Sequence, residues 1–284
     1  MSNLVCTKMN GTGNDFLIVD IRDAVLNAEI IGLIKKIGRN HLAKALCDRH
    51  RGIGADGLLF LESDTSVSKV HFKWDFFNAD GSHAEMCGNA ARCVGRYAHE
   101  RCGYGNPIRF NTVAGIIETQ VHEDQSVAVT MSPITSGQSL LQKMSLRWLS
   151  VNSGVPHFVI HLESPPELEN WQKQAAEIRH HKDFQPAGTN VTLVWPVDNN
   201  TVGSASFERG VEDFTLACGT GAVAAAFAFS QWNPAAPTKV FVRVPGGELA
   251  VDLSGPTPIL SGQAAFVADC KVSSEFLAAI GGTA

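Results

Sequence analysis

Two cysteines, Cys87 and Cys218, stand in matching surroundings: Met86-Cys87-Gly88-Asn89-Ala90-Ala91 and Ala217-Cys218-Gly219-Thr220-Gly221-Ala222. Each precedes a glycine, a small polar residue and a helix-like run, which places each thiol at a helix N-terminus. Free N–H groups and the helix dipole there favour negative charge. A cysteine so placed is expected to have a lowered pKa and enough thiolate to act as a base or nucleophile. The same N–H groups suit a carboxylate. Two such thiols acting on one carbon from opposite sides would meet the needs of inversion at a stereocentre. One removes the α-proton, the other delivers a proton to the opposite face, and the helix N–H donors stabilise the charge that develops on the carboxylate. The plainer alternative is a pair of buried cysteines serving as small hydrophobes.

The elements around these cysteines repeat. Gly13-Asn14-Asp15-Phe16-Leu17-Ile18-Val19 resembles Val155-Pro156-His157-Phe158-Val159-Ile160, and Gly54-Ala55-Asp56-Gly57-Leu58-Leu59 resembles Gly188-Thr189-Asn190-Val191-Thr192-Leu193. Ala114-Gly115-Ile116-Ile117-Glu118-Thr119 resembles Gly246-Gly247-Glu248-Leu249-Ala250-Val251. Counting the cysteine motif, the offsets are 142, 134, 131 and 132 residues (Phe16 to Phe158, Gly54 to Gly188, Cys87 to Cys218, Gly115 to Gly247) in a chain of 284. Four matches in one order imply two duplicated domains rather than a solenoid. The domains are expected at residues 1–133 and 143–284, joined through the Ser/Thr/Gly-rich stretch 133–142, with the last strand able to return to the N-terminal domain.

Short strands are expected at residues 16–19, 58–61, 69–77, 116–122 and 127–131, and again at 158–162, 190–195, 204–208, 240–244 and 249–253. Helices are expected after each repeated cysteine, at 90–101 and 222–230. The second is almost wholly Ala, Val and Phe, which marks it as buried on every side and wrapped by its own sheet. Residues 29–49 and 166–181 read as outer helices.

Bulk composition narrows the function classes. Apolar residues at 44% and charged residues at 18% describe a globular chain, and a net charge of −5 without charge blocks gives nucleic-acid binding no support. The longest apolar stretch, 221–229, is too short to span a membrane. No basic region leads into an apolar run at the N-terminus, so a cytoplasmic location is expected. Seven cysteines without a Cys-x-x-Cys pair argue against a disulfide framework or zinc ribbon. No metal site is read, and Gly11-Thr12-Gly13 is no dinucleotide fingerprint, because a strand follows it.

Taken together, the motifs identify the chain as similar to the diaminopimelate epimerase family, in the superfamily of proline racemase-like and phenazine-biosynthesis isomerase-like proteins. The resemblance covers residues 8–253. It is carried by Lys8-Met9-Asn10-Gly11-Thr12-Gly13-Asn14-Asp15-Phe16, Arg49-His50-Arg51-Gly52-Ile53-Gly54-Ala55-Asp56-Gly57, Phe77-Asn78-Ala79-Asp80-Gly81-Ser82, Phe207-Glu208-Arg209-Gly210, Pro245-Gly246-Gly247 and the two cysteine motifs. It implies an α+β fold of two pseudo-symmetric domains, each a mostly antiparallel curled sheet around a central buried helix, with the site in the interdomain cleft. It implies Cys87 and Cys218 as the acid/base pair, with Glu208 and His157 beside them setting their protonation. Asn14, Gly88, Asn89, Gly219 and Thr220 would hold the reacting carboxylate and ammonium, while Asn78, Asn190 and Arg209 would reach the far end of the substrate. The implied activity is interconversion of LL- and meso-2,6-diaminopimelate in lysine and cell-wall precursor biosynthesis, without a cofactor. The implied partner is a small amino-acid substrate, and a homodimer is left open.

Each residue also has a structural reading. Glu208-Arg209 could be a surface ion pair, His157 a core histidine, and Asn14 and Asn78 turn residues. The chain departs from the family at Val155, where an Asn is usual before Pro-His, and at Ala90, where a Gly is usual. Val155 cannot make the contact of that Asn, which leaves open a cofactor-independent racemase of histidine or a basic amino acid; a second alternative is a non-catalytic binding protein of the same fold.

Overall fold

A computed structural model describes residues 4–137 and 146–282, so part of the expected 133–142 junction lies outside the described residues. The chain forms two compact units, Met1–Val127 with Gln263–Ala284, and Ala128–Gly262.

In the first unit β1 (Val5–Gly11) and β2 (Asn14–Asp20) form a hairpin whose last pair is Gly11 with Asn14. Two helices, α1 (Ala28–Ile37) and α2 (Arg39–Cys47), carry the chain over to β3 (Gly57–Glu62), which lies parallel to β2. The single outer helix expected over 29–49 is broken at Gly38, whose φ of +89° ends one helix and starts the next. Strand β4 (Phe72–Asn78) pairs antiparallel with β3 and starts later than expected, since Lys69 adopts a φ of +71°. Helix α3 (Gly88–Cys102) then crosses to β5 (Ile108–Thr112), parallel to β4, and β6 (Gly115–Val121) closes a further hairpin. Strand β3 is buried on both faces. Leu58 and Phe60 pack with Leu17 and Val19 against Leu42 and Leu46 of α2, while α3 lies within the curve of β1, β2, β5 and β6.

The chain passes through β7 (Ser126–Thr130) into the second unit, where β8 (Thr135–Gly137) pairs with β9 (Trp148–Asn152). The order then repeats. Strands β9 and β10 (Pro156–His161) form an antiparallel pair, and α4 (Leu168–Arg179) leads to β11 (Asn190–Pro196), parallel to β10. Strand β12 (Thr201–Glu208) returns antiparallel and ends in a short pairing with β13 (Asp213–Phe214). Helix α5 (Gly219–Trp232) crosses to β14 (Lys239–Val244), parallel to β12, and β15 (Gly247–Asp252) and β16 (Ile259–Gln263) follow in antiparallel register. Helix α5 packs against six strands of this unit, β9, β10, β11, β12, β14 and β15. Strand β17 (Ala265–Lys271) pairs antiparallel with β1 of the first unit, and α6 (Ser274–Gly281) packs on α1 and α2.

The fold is thus α+β, with two repeats of hairpin, crossover helix, hairpin, central helix and hairpin. Both parallel pairings recur at the same step of each repeat. Each central helix is a crossover connection inside its sheet, so its N-terminus follows directly from the loop that carries the repeated cysteine. No described helix is long and apolar enough to cross a membrane.

Candidate active site

Cys87 and Cys218 are the N-cap residues of α3 and α5, both with extended backbone, and Gly88 and Gly219 are the first, buried helical residues. In each case the cysteine carbonyl accepts the first helical bond at 2.9 Å, from Ala91 or Ala222. The helix starts read from the sequence are therefore placed at equivalent positions of the two repeats.

Around Cys87, the thiol donates to Asn14 Oδ1 at 3.6 Å, and Asn89 Nδ2 donates to the same oxygen at 3.2 Å. Asn14 turns its amide nitrogen to the carboxylate of Asp56. That carboxylate also accepts from Asp15 N at 3.2 Å and from Arg49 at 2.8 Å. Asp15 is held by Lys8 at 3.0 Å and Arg49 at 2.8 Å, and Arg49 and Lys8 hold its carboxyl below the usual carboxylate range against the opposing effect of burial. The Asp56 oxygens accept the bonds from Asn14, Asp15 and Arg49, so Asp56 orients the Asn14 amide with its oxygen towards Cys87. Asn78 is exposed at the end of β4, paired in register with Gly57 and bonded through Nδ2 to Ser82 Oγ at 3.0 Å. The structure gathers Asn14, Asn89 and Cys87 into one hydrogen-bonded group and leaves Asn78 on the neighbouring strand end.

Around Cys218 the surroundings differ. The thiol is buried, accepts from Gly221 N at 3.4 Å and lies 3.4 Å from Thr220 Oγ1. Glu208 also hydrogen-bonds to it, and Thr215 Oγ1 donates to the Glu208 carboxylate. Burial, with the Glu208 charge second, pushes the Cys218 thiol well above its ordinary value, and the bonds from Thr220 and Gly221 oppose this without prevailing. The lowered pKa expected from the helix-start position is therefore not found at Cys218. Loss of water outweighs the dipole there.

His157 does not bond to the thiol directly. Its ring, wholly buried, meets Thr192 Oγ1 at 2.8 Å through Nδ1 and Thr220 Oγ1 at 2.9 Å through Nε2, so Thr220 stands between imidazole and thiol. Burial, with the Arg209 charge adding to it, pushes His157 down to about 3, so the ring is neutral. Asn190, opposite His157 in the β10–β11 register, donates to its ring at 3.3 Å and accepts from the backbone N–H of Arg209 at 2.7 Å. The Arg209 guanidinium is exposed and donates to Ala187 O at 3.2 Å. Glu208 and Arg209 therefore serve different surroundings. One faces Cys218 and the other faces outward. Val155 lies in the turn before β10, where its carbonyl accepts from Ser153 N at 3.3 Å.

Several residues of these networks carry no signal as single positions. Thr192 and Ser206, linked at 3.0 Å, extend the His157 chain, and Ser206 is only one of several polar residues on its strand. Asp56, Asp15 and Arg49 lie in motifs that carry the family resemblance, but only the fold shows that they orient Asn14. The thiols of Cys6, Cys47 and Cys93 are pushed up to about 12 by burial, which leaves them inert. Among the described residues there is no group of three or more His, Cys, Asp or Glu placed to hold a metal ion.

The family profile described as diaminopimelate epimerase matches residues 6–136 and 149–267, which include both cysteine caps and every residue placed around them. The chain belongs to the diaminopimelate epimerase family. It is 38% identical over 277 residues to the diaminopimelate epimerase of Aquifex aeolicus, covering 95% of this chain and 98% of that one. It is 39% identical over 268 residues to that of Hydrogenobaculum sp., covering 89% and 95%. Among solved structures it resembles a hydroxyproline epimerase from Agrobacterium vitis with bound trans-4-hydroxy-L-proline, at a TM-score of 0.67 and 15% identity, covering 96% of this chain and 93% of that one. It also resembles a phenazine biosynthesis protein of the PhzF family from Bacillus anthracis, at a TM-score of 0.66 and 14% identity, covering 96% and 100%. At these identities the two structures establish the fold.

Proposed function

We propose that the protein is a diaminopimelate epimerase, an isomerase that interconverts LL- and meso-2,6-diaminopimelate by proton transfer at one α-carbon. The observation that carries this reading is the cysteine helix cap repeated in the two units of a chain that belongs to the family over most of its length. In this reading the C–H bond at the α-carbon breaks as an S–H bond forms on one thiolate. The S–H bond of the other cysteine breaks as a new C–H bond forms on the opposite face. Cys218, kept protonated by burial and Glu208, is the proton donor, and Cys87 is the base once the S–H proton it donates to Asn14 has passed to solvent. Reversal of the reaction exchanges these roles. The developing charge spreads into the α-carboxylate, where N–H donors from Gly88, Asn89, Gly219 and Thr220 serve as an anion cradle. Asn14 contributes on the Cys87 side, and His157 acts on Cys218 through Thr220.

At the far end of the substrate, Arg209, Asn190 and Asn78 are assigned to the second amino-acid group. Arginine reads a carboxylate through a planar fork that lysine lacks, and the exposed Arg209 guanidinium is available for it. With Val155 in place of the family's Asn, Arg209 bears more of this recognition.

The test is direct. Purified protein should convert LL- to meso-diaminopimelate in the presence of chelator and hydroxylamine, and Arg209→Lys should lower kcat/KM at least about tenfold, the loss of a charge-assisted bond. Racemisation of histidine or lysine with no turnover of diaminopimelate would overturn the assignment.

A further inference from the structure

Among the described residues Arg92 is the largest side chain that is fully buried, and it carries a charge. It lies on α3, little more than one turn beyond Cys87. Its Nη2 donates to Thr12 Oγ1 at 2.8 Å and to Asn89 Oδ1 at 3.0 Å, both neutral acceptors. Its Nε and Nη1 have no hydrogen-bond partner among the described residues. Burial disfavours its cation, and the neighbours that oppose this are Cys93 and Cys87 rather than a carboxylate. A buried guanidinium without a carboxylate is a poor way to fill a core, since an apolar residue of similar volume is often neutral or stabilising in such a place. Packing therefore does not account for it.

The two bonds it makes do. Thr12 forms the β1–β2 turn with a φ of +59°, a left-handed conformation uncommon for a β-branched residue. The guanidinium holds it there. By occupying the Asn89 carbonyl, Arg92 also forces the Asn89 amide nitrogen to point the other way, at Asn14 Oδ1. The end of β1 lies directly on this first turn of α3, because a side chain at Gly11 would run into the Asn89 backbone carbonyl. One nitrogen atom thus ties the turn carrying Asn14 to the helix start carrying Cys87.

We propose that Arg92 is a positioning residue of the Cys87 half-site, a buried cation that fixes the turn at Thr12 and the Asn89 amide so that Asn14 presents its carbonyl to Cys87. It acts through Thr12, Asn89 and Asn14. Its activity readout rests on the epimerase reading, and its structural readout does not.

The test compares Arg92→Met and Arg92→Lys with wild type in thermal melting, in kcat and KM for diaminopimelate, and in amide hydrogen exchange. Arg92→Met is expected to melt at or above the wild-type temperature, to lose at least about tenfold in kcat, and to change KM by less than about threefold. Amide exchange over residues 11–14 should accelerate at least about tenfold, with β11 and α5 unchanged. Arg92→Lys, which keeps the charge and a donor, should recover part of the kcat. Wild-type kcat in Arg92→Met, unaltered exchange at the turn, or an activity loss that only follows a lowered melting temperature or failure to fold would overturn the proposal. If wild type does not turn over diaminopimelate, the epimerase reading falls, and the exchange measurement alone decides the role of Arg92.

Discussion

The two repeated thiols occupy equivalent backbone positions but unlike chemical settings. Cys87 faces the carbonyl of Asn14, while Cys218 is buried beside the Glu208 carboxylate and held protonated. If one thiol removes the proton and the other donates it, neither suffices alone. Cys87→Ala and Cys218→Ala should each reduce epimerisation by more than about a thousandfold with the melting temperature nearly unchanged, since a group acting only in the transition state is lost. Cys93→Ala, at a buried thiol of the same helix, should keep turnover. Ready turnover by either of the first two variants would end the two-thiol mechanism. His157 makes a separate prediction about stability. In the unfolded chain imidazole takes up a proton near pH 6.5, whereas in the fold it does so only near about 3. The stability of the buried neutral ring is therefore complete above pH 6.5 and is lost as pH falls through that value towards 3, at about 1.4 kcal/mol per unit. Urea denaturation at pH 7.5 and pH 5 should show wild type losing about 2 kcal/mol more than His157→Asn. Equal losses would mean that the ring is not buried neutral.

The helix starts are where the two repeats can be compared atom by atom, and they differ at their third residue. Gly221 lies so close to β12 that a methyl group would fall on Ser206 Oγ and crowd Cys218 Cβ, whereas α3 already has Ala90 at the matching place, fully buried. Gly221→Ala should cost about 1–3 kcal/mol by overpacking and should displace Cys218, lowering kcat. Ala90→Gly should cost about 1 kcal/mol through helix propensity and leave turnover near normal. Urea melts and kcat of both variants check this, and a Gly221→Ala protein of full activity would refute it. The same elements show what could be read in advance. The repeat, the two cysteine caps and the buried central helices were legible, because each depends on local pattern: a glycine after a cap, or an apolar run with no polar face. Strands β1, β5 and β9 were not. Their sequences mix Lys8, Arg109 or Ser150 with apolar residues, and pairing can depend on distant partners, as when Val5 of β1 pairs with Lys271 of β17. The break at Gly38 escaped for a different reason, since a glycine within a helical pattern is usually tolerated. Most instructive is Cys218, whose place at a helix start predicted a low pKa. Its burial, set by the surrounding strands rather than by neighbours in sequence, reversed the sign.

At the scale of the whole chain, the two repeats differ in the charge around each thiol while sharing the backbone cap that carries it. A carboxylate stands by one cysteine, and a buried arginine stands behind the other. Such a pair predicts how isotope enters the product. If Cys87 is the base when LL-diaminopimelate is converted in deuterated water, the α-proton it removes remains on that sulfur, on the wrong face for return as product. The proton delivered would then come from Cys218, which has exchanged with solvent. The first meso product formed should therefore carry one deuterium at the inverted carbon, while unreacted LL substrate stays protiated. A single base serving both faces would instead pass part of its own captured proton into the product and wash deuterium into the substrate. Mass spectrometry of both isomers in the first tenth or so of reaction separates the two cases. Early deuterium in recovered LL substrate, at a level matching the product, would rule out one thiol on each face and would require a different division of labour between the two units.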